Sequence, residues 1–527
     1  MTVAEADPRP PGAPPQLSPA QIRLVMTGLL LGLLLASLDQ TIVATALPTI
    51  AGDLHGLSHL TWVVTAYLLA STASTPLWGK LGDQYGRKFF FQASIVVFLV
   101  GSVLAGLSRD MLELILFRAV QGLGAGGLIV GAMASVGDVV SPRERGRYQG
   151  VFGSVFAVSS VIGPLIGGFF VDKLSWHWIF YVNVPIGVVA LVVTAAVLPA
   201  SSNRVRHVID YAGATLLTGA ATALILLASL GGNTYAWLSA PVFVMGVVAI
   251  VLVVAFLYVE RRAVEPIIPL GLLRNRTFSS TSAIGFVVGF AMFGAITFLP
   301  LYMQVVKGES PTISGLQLTP LMAGLLVTSI GSGRAITRWG RYKVFPIVGS
   351  GVMTVGLFLL SRIGISTANL YLSVAMVVLG LGIGMVLPVL VIAVQNAVGY
   401  QDLGVATAGT TFFRSIGASF GVAIFGAIFS DTLVGNIRHA LGDVHLPSGL
   451  SASGGVSPAQ LDALTAPVRH VLVTGYADSL QTVFLSAAPV AVVAFALTWI
   501  LPEVTLRRTT AVTDPADTLA PTSIPHT

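Results

Sequence analysis

The chain has 527 residues, of which 54% are apolar and only 9% charged, with a mean hydropathy of +0.86, whereas soluble domains carry roughly 25% charged residues. This composition excludes an ordinary soluble domain and points to an all-α integral membrane protein. There is no cysteine, so disulfides, thiolate metal sites and thiol redox centres are excluded, and the net charge of +6 is used up in topology signals rather than in a nucleic-acid surface.

Residues 1–21, rich in proline and alanine, read as a disordered cytoplasmic tail that lacks the basic-then-apolar order of a cleavable signal. Apolar runs of spanning length follow at 22–50, 60–79, 88–108, 111–138, 148–171, 178–199, 210–230, 239–259, 279–305, 313–333, 345–362, 368–395, 404–430 and 481–502. That gives about fourteen transmembrane helices, each able to cross a hydrocarbon layer of ~30 Å. They group as a six-helix bundle over 22–199, two inserted helices within 200–262, a second six-helix bundle over 263–502 and a tail over 503–527. The second bundle contains a long external segment, 431–480. In it, Ser457-Pro458 has the form of an N-cap and first-turn proline opening an amphipathic stretch, either a helix on the membrane surface or a lid or partner site.

The basic residues orient this array. Lys80, Arg87, Lys88, Arg143, Arg145, Arg147, Arg204, Arg206, Arg261, Arg262, Arg274, Arg276, Arg334, Arg338, Arg341, Lys343, Arg507 and Arg508 fall in loops and a tail on one side. The other side has Arg109, Lys173, Lys307, Arg362, Arg438 and Arg469. An asymmetry of about three to one marks the first side as cytoplasmic, with both termini on it. The expected location is the plasma (inner) membrane, spanned many times.

One polar island repeats. Gly79 to Lys88, between two spanning runs, reads as a tight loop, and Gly333 to Lys343 keeps its two glycines and following arginine but has Thr337 where the first has Asp83. Likewise Gly122-Leu-Gly124-Ala-Gly126 matches Gly380-Leu-Gly382-Ile-Gly384, while Arg118 aligns with Met376 and Gly163-Pro164 with Gly421-Val422. Two related halves are a transporter architecture, with the binding site at their interface. Features present in the first half alone are candidates for function.

An ionisable group in mid-membrane costs at least ~2.5–3.5 kcal/mol, so it needs a partner, a wet cavity or a task. Asp39 in the first helix and Arg118 in the fourth lie at similar depth in the outer half, either as a coupling pair whose proton affinity changes with access or as a permanently ionised pair that fixes helix register. Glu113 lies about one and a half turns from Arg118 and is a weaker coupling candidate. Arg414 is expected to snorkel to the inner interface. Trp62 and Trp78 read as interface anchors. Candidate cavity residues are Tyr67, Gln121, Met292, Phe293, Phe298 and Tyr302, for which ordinary helix packing is the alternative.

The stretch Leu38-Asp39-Gln-Thr41-Ile-Val-Ala-Thr-Ala46-Leu47-Pro48, the loop Gly79 to Lys88, Arg118-Ala-Val-Gln121-Gly122-Leu-Gly124 and Gly163-Pro164-Leu-Ile-Gly167-Gly168 together resemble four signatures of one family. The chain is similar over nearly its whole length to the fourteen-helix drug:proton antiporters of the major facilitator superfamily. The resemblance implies proton or cation handling by Asp39 and proton transfer by Arg118. It implies gating by Gly79, Asp83, Gly86 and Arg87, and an exporter-type hinge at Gly163, Pro164, Gly167 and Gly168. Gln84 departs from the arginine common in the loop signature. Physically, Asp83 suits a positive helix end and a pairing with arginines of the other half.

No GxxxxGK[ST] stretch occurs and all eight histidines fall in loops or tails, so neither ATP as energy source nor a cofactor or metal is expected, and a proton gradient as the energy source is what the resemblance implies. The sequence thus reads as a monomeric proton-coupled antiporter, embedded in the lipid bilayer and exporting hydrophobic or cationic drugs, with no nucleic acid as partner and no enzymatic reaction. The alternatives are an exporter of one endogenous metabolite, lipid or antibiotic, and a non-transporting membrane scaffold or sensor.

Overall fold

The computed structural model describes residues 18–54, 60–140, 144–198, 210–231, 235–441 and 465–506. The first half consists of α1 (Pro19–Asp53), α2 (Leu60–Tyr85), α3 (Arg87–Gly106), α4 (Met111–Val139), α5 (Arg145–Lys173), α6 (Trp178–Tyr181) and α7 (Asn183–Val197). Then come α8 (Tyr211–Leu230) and α9 (Ala240–Glu260), and a short α10 (Leu270–Arg274). The second half consists of α11 (Arg276–Leu301) with a π-helical turn (Tyr302–Val306), α12 (Pro311–Gln317), α13 (Thr319–Trp339), α14 (Val344–Leu360), α15 (Asn369–Ala397), α16 (Leu403–Leu441) and α17 (Ala466–Ile500). Among the described residues the only bridge of β type joins Gly231 and Tyr235.

Among the described residues, twelve segments are long and apolar enough to cross a membrane, and Val344–Leu360 is apolar but shorter. Outside that set stands α2, whose 26 residues reach ~39 Å but whose last turns carry Lys80 and Asp83. These together supply the about fourteen spans expected from hydropathy. The protein is a multi-pass membrane protein.

The repeat seen in the sequence is a repeat in packing. In the first half α4 lies between α2 and α3: Gly122 and Gly126 abut the carbonyls of Tyr67 and Ser71, and Gly124 abuts the backbone of Phe98. In the second half α15 lies between α13 and α14 in the same way, with Gly380 and Gly384 against the carbonyls of Leu321 and Leu325, and Gly382 against Met353. Small residues let these backbones approach closely, which is how helices associate in lipid, where apolar side chains gain little by leaving the solvent. The halves meet along α5 with α13 and α2 with α16, and α8 and α9 pair with each other while α8 packs against both α2 and α16.

Two expected loops are different in the structure. Gly79 to Lys88 is not a loop: α2 continues to Tyr85, Gly86 alone breaks the helix with φ 102, and α3 begins at Arg87. One residue suffices because glycine enters the positive-φ region without a Cβ penalty. Gly340 does the same in the second copy, with φ 74 after α13. The external segment 431–480 is shorter than expected, because α16 runs 39 residues to Leu441, or ~58 Å, and α17 begins at Ala466. Leu433 and Ile437 pack with Leu472 and Tyr476, and Asn436 Nδ2 donates to Ser479 Oγ at 3.2 Å, so side-chain packing carries both helices past the bilayer. The first-tail expectation over 1–21 ends early, because α1 is already helical from Pro19; residues 1–17 and 507–527, Ser457-Pro458, Arg143, Arg204, Arg206, His55, His59, His207, His445 and His526 lie outside the described residues.

Candidate functional site

Four helices of the first half converge on one carboxylate. Asp39 of α1 is fully buried. Its Oδ2 accepts from Arg118 Nη1 of α4 at 2.5 Å. Its Oδ1 accepts from Gln121 Nε2 at 2.7 Å and from Asn183 Nδ2 of α7 at 3.0 Å. Arg118 Nη1 also donates to Gln121 Oε1 at 2.7 Å, closing a triangle. Gln121 is one helical turn from Arg118, so both point the same way from α4. The Tyr67 ring of α2 lies 4.1 Å from the guanidinium carbon, a cation–π contact, and its hydroxyl donates to Ala36 O at 3.2 Å.

Asn183 and Ser102 complete the cluster and were not singled out in the sequence. Asn183 Nδ2 reaches Ser102 Oγ at 3.0 Å, and Ser102 donates to Phe180 O at 2.8 Å. The only signal was an amide at the start of an otherwise apolar run, next to the break between α6 and α7. Arg118 Nε and Asn183 Oδ1 are buried with no hydrogen-bond partner in the protein, so the cluster keeps polar capacity that its own side chains do not use. Replacing Asn183 by Leu removes two hydrogen bonds and is expected to cost about 1–3 kcal/mol, read as a lower melting temperature of the solubilised protein. An unchanged melting temperature would mean that the amide is a spectator.

Glu113 does not join this cluster. It sits in the first turn of α4, where its N–H is capped by Asp110 at 2.8 Å and its Oε2 accepts the Arg109 N–H at 2.9 Å. Its carboxylate is engaged in capping.

At the end of the bundle that carries the basic loops, a second site joins the halves. Asp83, in the last turns of α2, accepts the Gly404 N–H at 3.1 Å and the Val405 N–H at 2.8 Å. These are free donors of the first turn of α16. Arg87 holds the same carboxylate at 2.7 Å. A helix N-terminus of the other half thus holds Asp83, a fixed positive end without a side chain to order. Gly79 makes this approach possible, since a Cβ there would lie 2.6 Å from Ala408 Cβ and 2.8 Å from Gly404 O. Thr337 of the second copy donates back to Gly333 O at 2.9 Å within its own helix. Buried Arg145 and Gln395, also unforeseen, add a second tie: Arg145 donates to Gly137 O at 2.7 Å and to Gln395 O at 3.3 Å, and Gln395 Nε2 to Met133 O at 3.0 Å.

Of the hinge residues, Gly163 is pressed against Thr41 of α1, whose hydroxyl is bonded to Ser159 O at 3.0 Å. Pro164 lies inside α5 and faces Gly315 of α12 in the other half. Gly167 is buried and Gly168 half-buried on the same helix. The six candidate cavity residues do not line one space. Tyr67 and Gln121 belong to the Asp39 cluster, whereas Met292, Phe298 and Tyr302 sit in the core of the second half, and Phe293 is 38% exposed. Tyr302 donates to Gly364 O at 2.9 Å and Phe298 stacks near Phe429 with centroids 5.6 Å apart, so packing explains them. The Trp78 indole N–H donates to Leu123 O of α4 at 2.7 Å. Arg414 is half-buried on α16, with its backbone against Gly289 of α11.

The sequence model of the Major Facilitator Superfamily matches residues 29–214 and 209–422. The chain belongs to the Major Facilitator Superfamily. This superfamily member is a transporter, as are its relatives, and not an enzyme. It is 45% identical over 507 residues to an uncharacterized MFS-type transporter of Mycobacterium tuberculosis, covering 96% of this chain and 72% of that one. It is 39% identical over 461 residues to the multidrug transporter protein MdtP of Bacillus subtilis, covering 88% and 83%. Among solved structures, the human organic anion transporter MFSD10 matches with a TM-score of 0.63 over 91% of this chain and 100% of that chain, at 14% identity. A proton:xylose symporter, XylE, matches with a TM-score of 0.59 at 14% identity. These last two show a shared fold.

Proposed function

We propose that this superfamily transporter is a proton-coupled antiporter that exports hydrophobic, often cationic, small molecules by alternating access. The observation that carries the reading is the buried Asp39–Arg118 pair, 2.5 Å apart, with Gln121, Asn183 and Tyr67 around it. The naming of relatives as multidrug transporters supports the substrate class.

In this reading Asp39 is the proton carrier. When Oδ2 takes a proton, the attraction to Arg118 is lost while the guanidinium stays charged, because arginine does not give up its proton in proteins. Arg118 then keeps Gln121 Oε1 and Tyr67, and α1 is released from α4. A cationic substrate competes with the same proton for the Asp39 carboxylate, which couples the two fluxes in opposite directions. The basic end faces the cytoplasm, and the Asp83 tie to α16 holds that end shut, so the resting conformation opens outward. Gly163 and Pro164 bend α5 between states. The functional unit is a monomer in the plasma (inner) membrane.

Transport into proteoliposomes, with a panel of cationic, neutral and zwitterionic compounds and an imposed pH gradient, tests the proposal. Gradient-dependent transport of several hydrophobic cations supports it. Transport of a single compound class, or transport indifferent to the gradient, would overturn it.

A further inference from the structure

The inserted pair α8 and α9 ends at the basic side in two carboxyl groups that the reading above leaves unused. Asp210 caps α8, its Oδ1 accepting the Gly213 N–H at 2.8 Å. Glu260, the last residue of α9, is 3% exposed, and its Oε1 accepts the Ile268 N–H at 2.5 Å. The second oxygens, Asp210 Oδ2 and Glu260 Oε2, are both buried and both without a hydrogen-bond partner. They border the same small space: a methyl group added at Gly213 would run into Asp210 Oδ2 and come within 2.9 Å of Glu260 Oε2. The charges acting on Glu260 through space are Asp210 and Lys80 of α2. Arg262, two residues on, is turned onto the Tyr258 ring at 4.2 Å.

Two carboxyl groups whose inner oxygens are buried against the same position cannot both be ionised without strong repulsion, and two unpaired acceptors cannot satisfy each other. One hydrogen placed between them removes both problems at once. A metal ion suits the place poorly, because hard cations take six or more oxygens and the described residues contain no group of three or more metal-ligating side chains. We propose that Asp210 and Glu260 form a proton-binding site, with one proton held between Asp210 Oδ2 and Glu260 Oε2, separate from the Asp39 cluster.

The site lies beside the tie between the halves. The segment after Glu260 carries Glu265, whose Oε2 accepts Gln84 Nε2 at 2.5 Å, and Gln84 adjoins Asp83. The glutamine at this position thus fastens the inserted pair to α2. Loss of the shared proton sets Asp210 against Glu260 and loosens the base of α8 and α9 from the helix that holds α16.

The test is infrared difference spectroscopy of the full-length protein in lipid, titrated through neutral pH in water and heavy water. An Asp39→Asn background removes any contribution of that cluster. The expected result is a protonated-carboxyl band, shifted by deuterium, that disappears on alkaline titration and is missing from both Glu260→Gln and Asp210→Asn. A band unchanged in both variants overturns the proposal, as does its absence from the parent. A carboxylate band that moves on addition of sodium or calcium, with no protonated form, makes this a cation site and also overturns it. Melting curves give an independent readout. The folded parent holds a proton that the unfolded chain releases, so its stability falls as pH rises until the site has emptied. Glu260→Gln, which keeps the side-chain shape, is expected to lose that slope, and a retained slope counts against the site.

Discussion

Arg118→Ala is expected to lower stability by about 3–5 kcal/mol, the cost of leaving a buried charge without its partner, and to abolish gradient-driven transport. The loss falls on Asp39, which keeps the amides of Gln121 and Asn183 but has no cation within the cluster. Asp39→Asn is expected to cost a comparable amount, because the guanidinium stays charged and keeps only its Gln121 and Tyr67 contacts. The double variant Asp39→Asn/Arg118→Met separates the two roles. It removes both charges, so melting temperature is expected to recover most of the loss, while transport driven by a pH gradient stays absent. Recovery of transport along with stability would reduce the pair to a fastener of α1 on α4.

Gly79→Val is expected to have the next largest effect. The added side chain meets Ala408 and the Gly404 carbonyl, backbone and a short side chain that cannot swing aside, so overpacking of about 1–3 kcal/mol opposes closure of the basic end. That is enough to shift a two-state equilibrium by a factor of about 5 to 150. The absence of cysteine gives a direct readout. Ala134, 3% exposed on α4 near the seam, can be changed to cysteine and its maleimide labelling rate compared with and without Gly79→Val. Faster labelling in the Gly79 variant is expected. Equal rates would mean that Gly79 does not govern the seam. Asp83→Asn acts on the same tie more weakly, since a carboxylate at a helix N-terminus contributes about 0.3–2 kcal/mol, and is expected to slow turnover while leaving substrate affinity intact.

Much of the fold was legible because hydropathy, glycine spacing and loop charge each follow simple physical rules. The matched glycines of α4 and α15 perform the same task in both halves, so a repeat in sequence became a repeat in backbone contact. The pairing of Asp39 with Arg118 followed from their similar depth, because few other ionisable groups lie within the spans. Asn183, Ser102, Arg145 and Gln395 were hidden because an amide, a hydroxyl or a base near a helix end is ordinary by type. Only the fold reveals which carbonyl or carboxylate stands opposite. The main-chain donors to Asp83 were hidden for a related reason: an opposite side-chain charge is visible by residue type, whereas the N–H groups at Gly404 and Val405 are ones any residue carries. For the Met and Phe residues of α11, composition left a permissive cavity and ordinary packing both open, and Met292 and Phe298 sit in the core of the second half.

The coupling account stands on Asp39 giving up a proton when substrate arrives. The direct measurement is proton release from the purified protein in weakly buffered detergent solution on addition of a transported hydrophobic cation. The parent is expected to release protons when the cation binds, and Asp39→Asn, still binding the cation, to release none. Equal release from the two proteins, or binding to the parent with no release at all, would contradict proton coupling at Asp39.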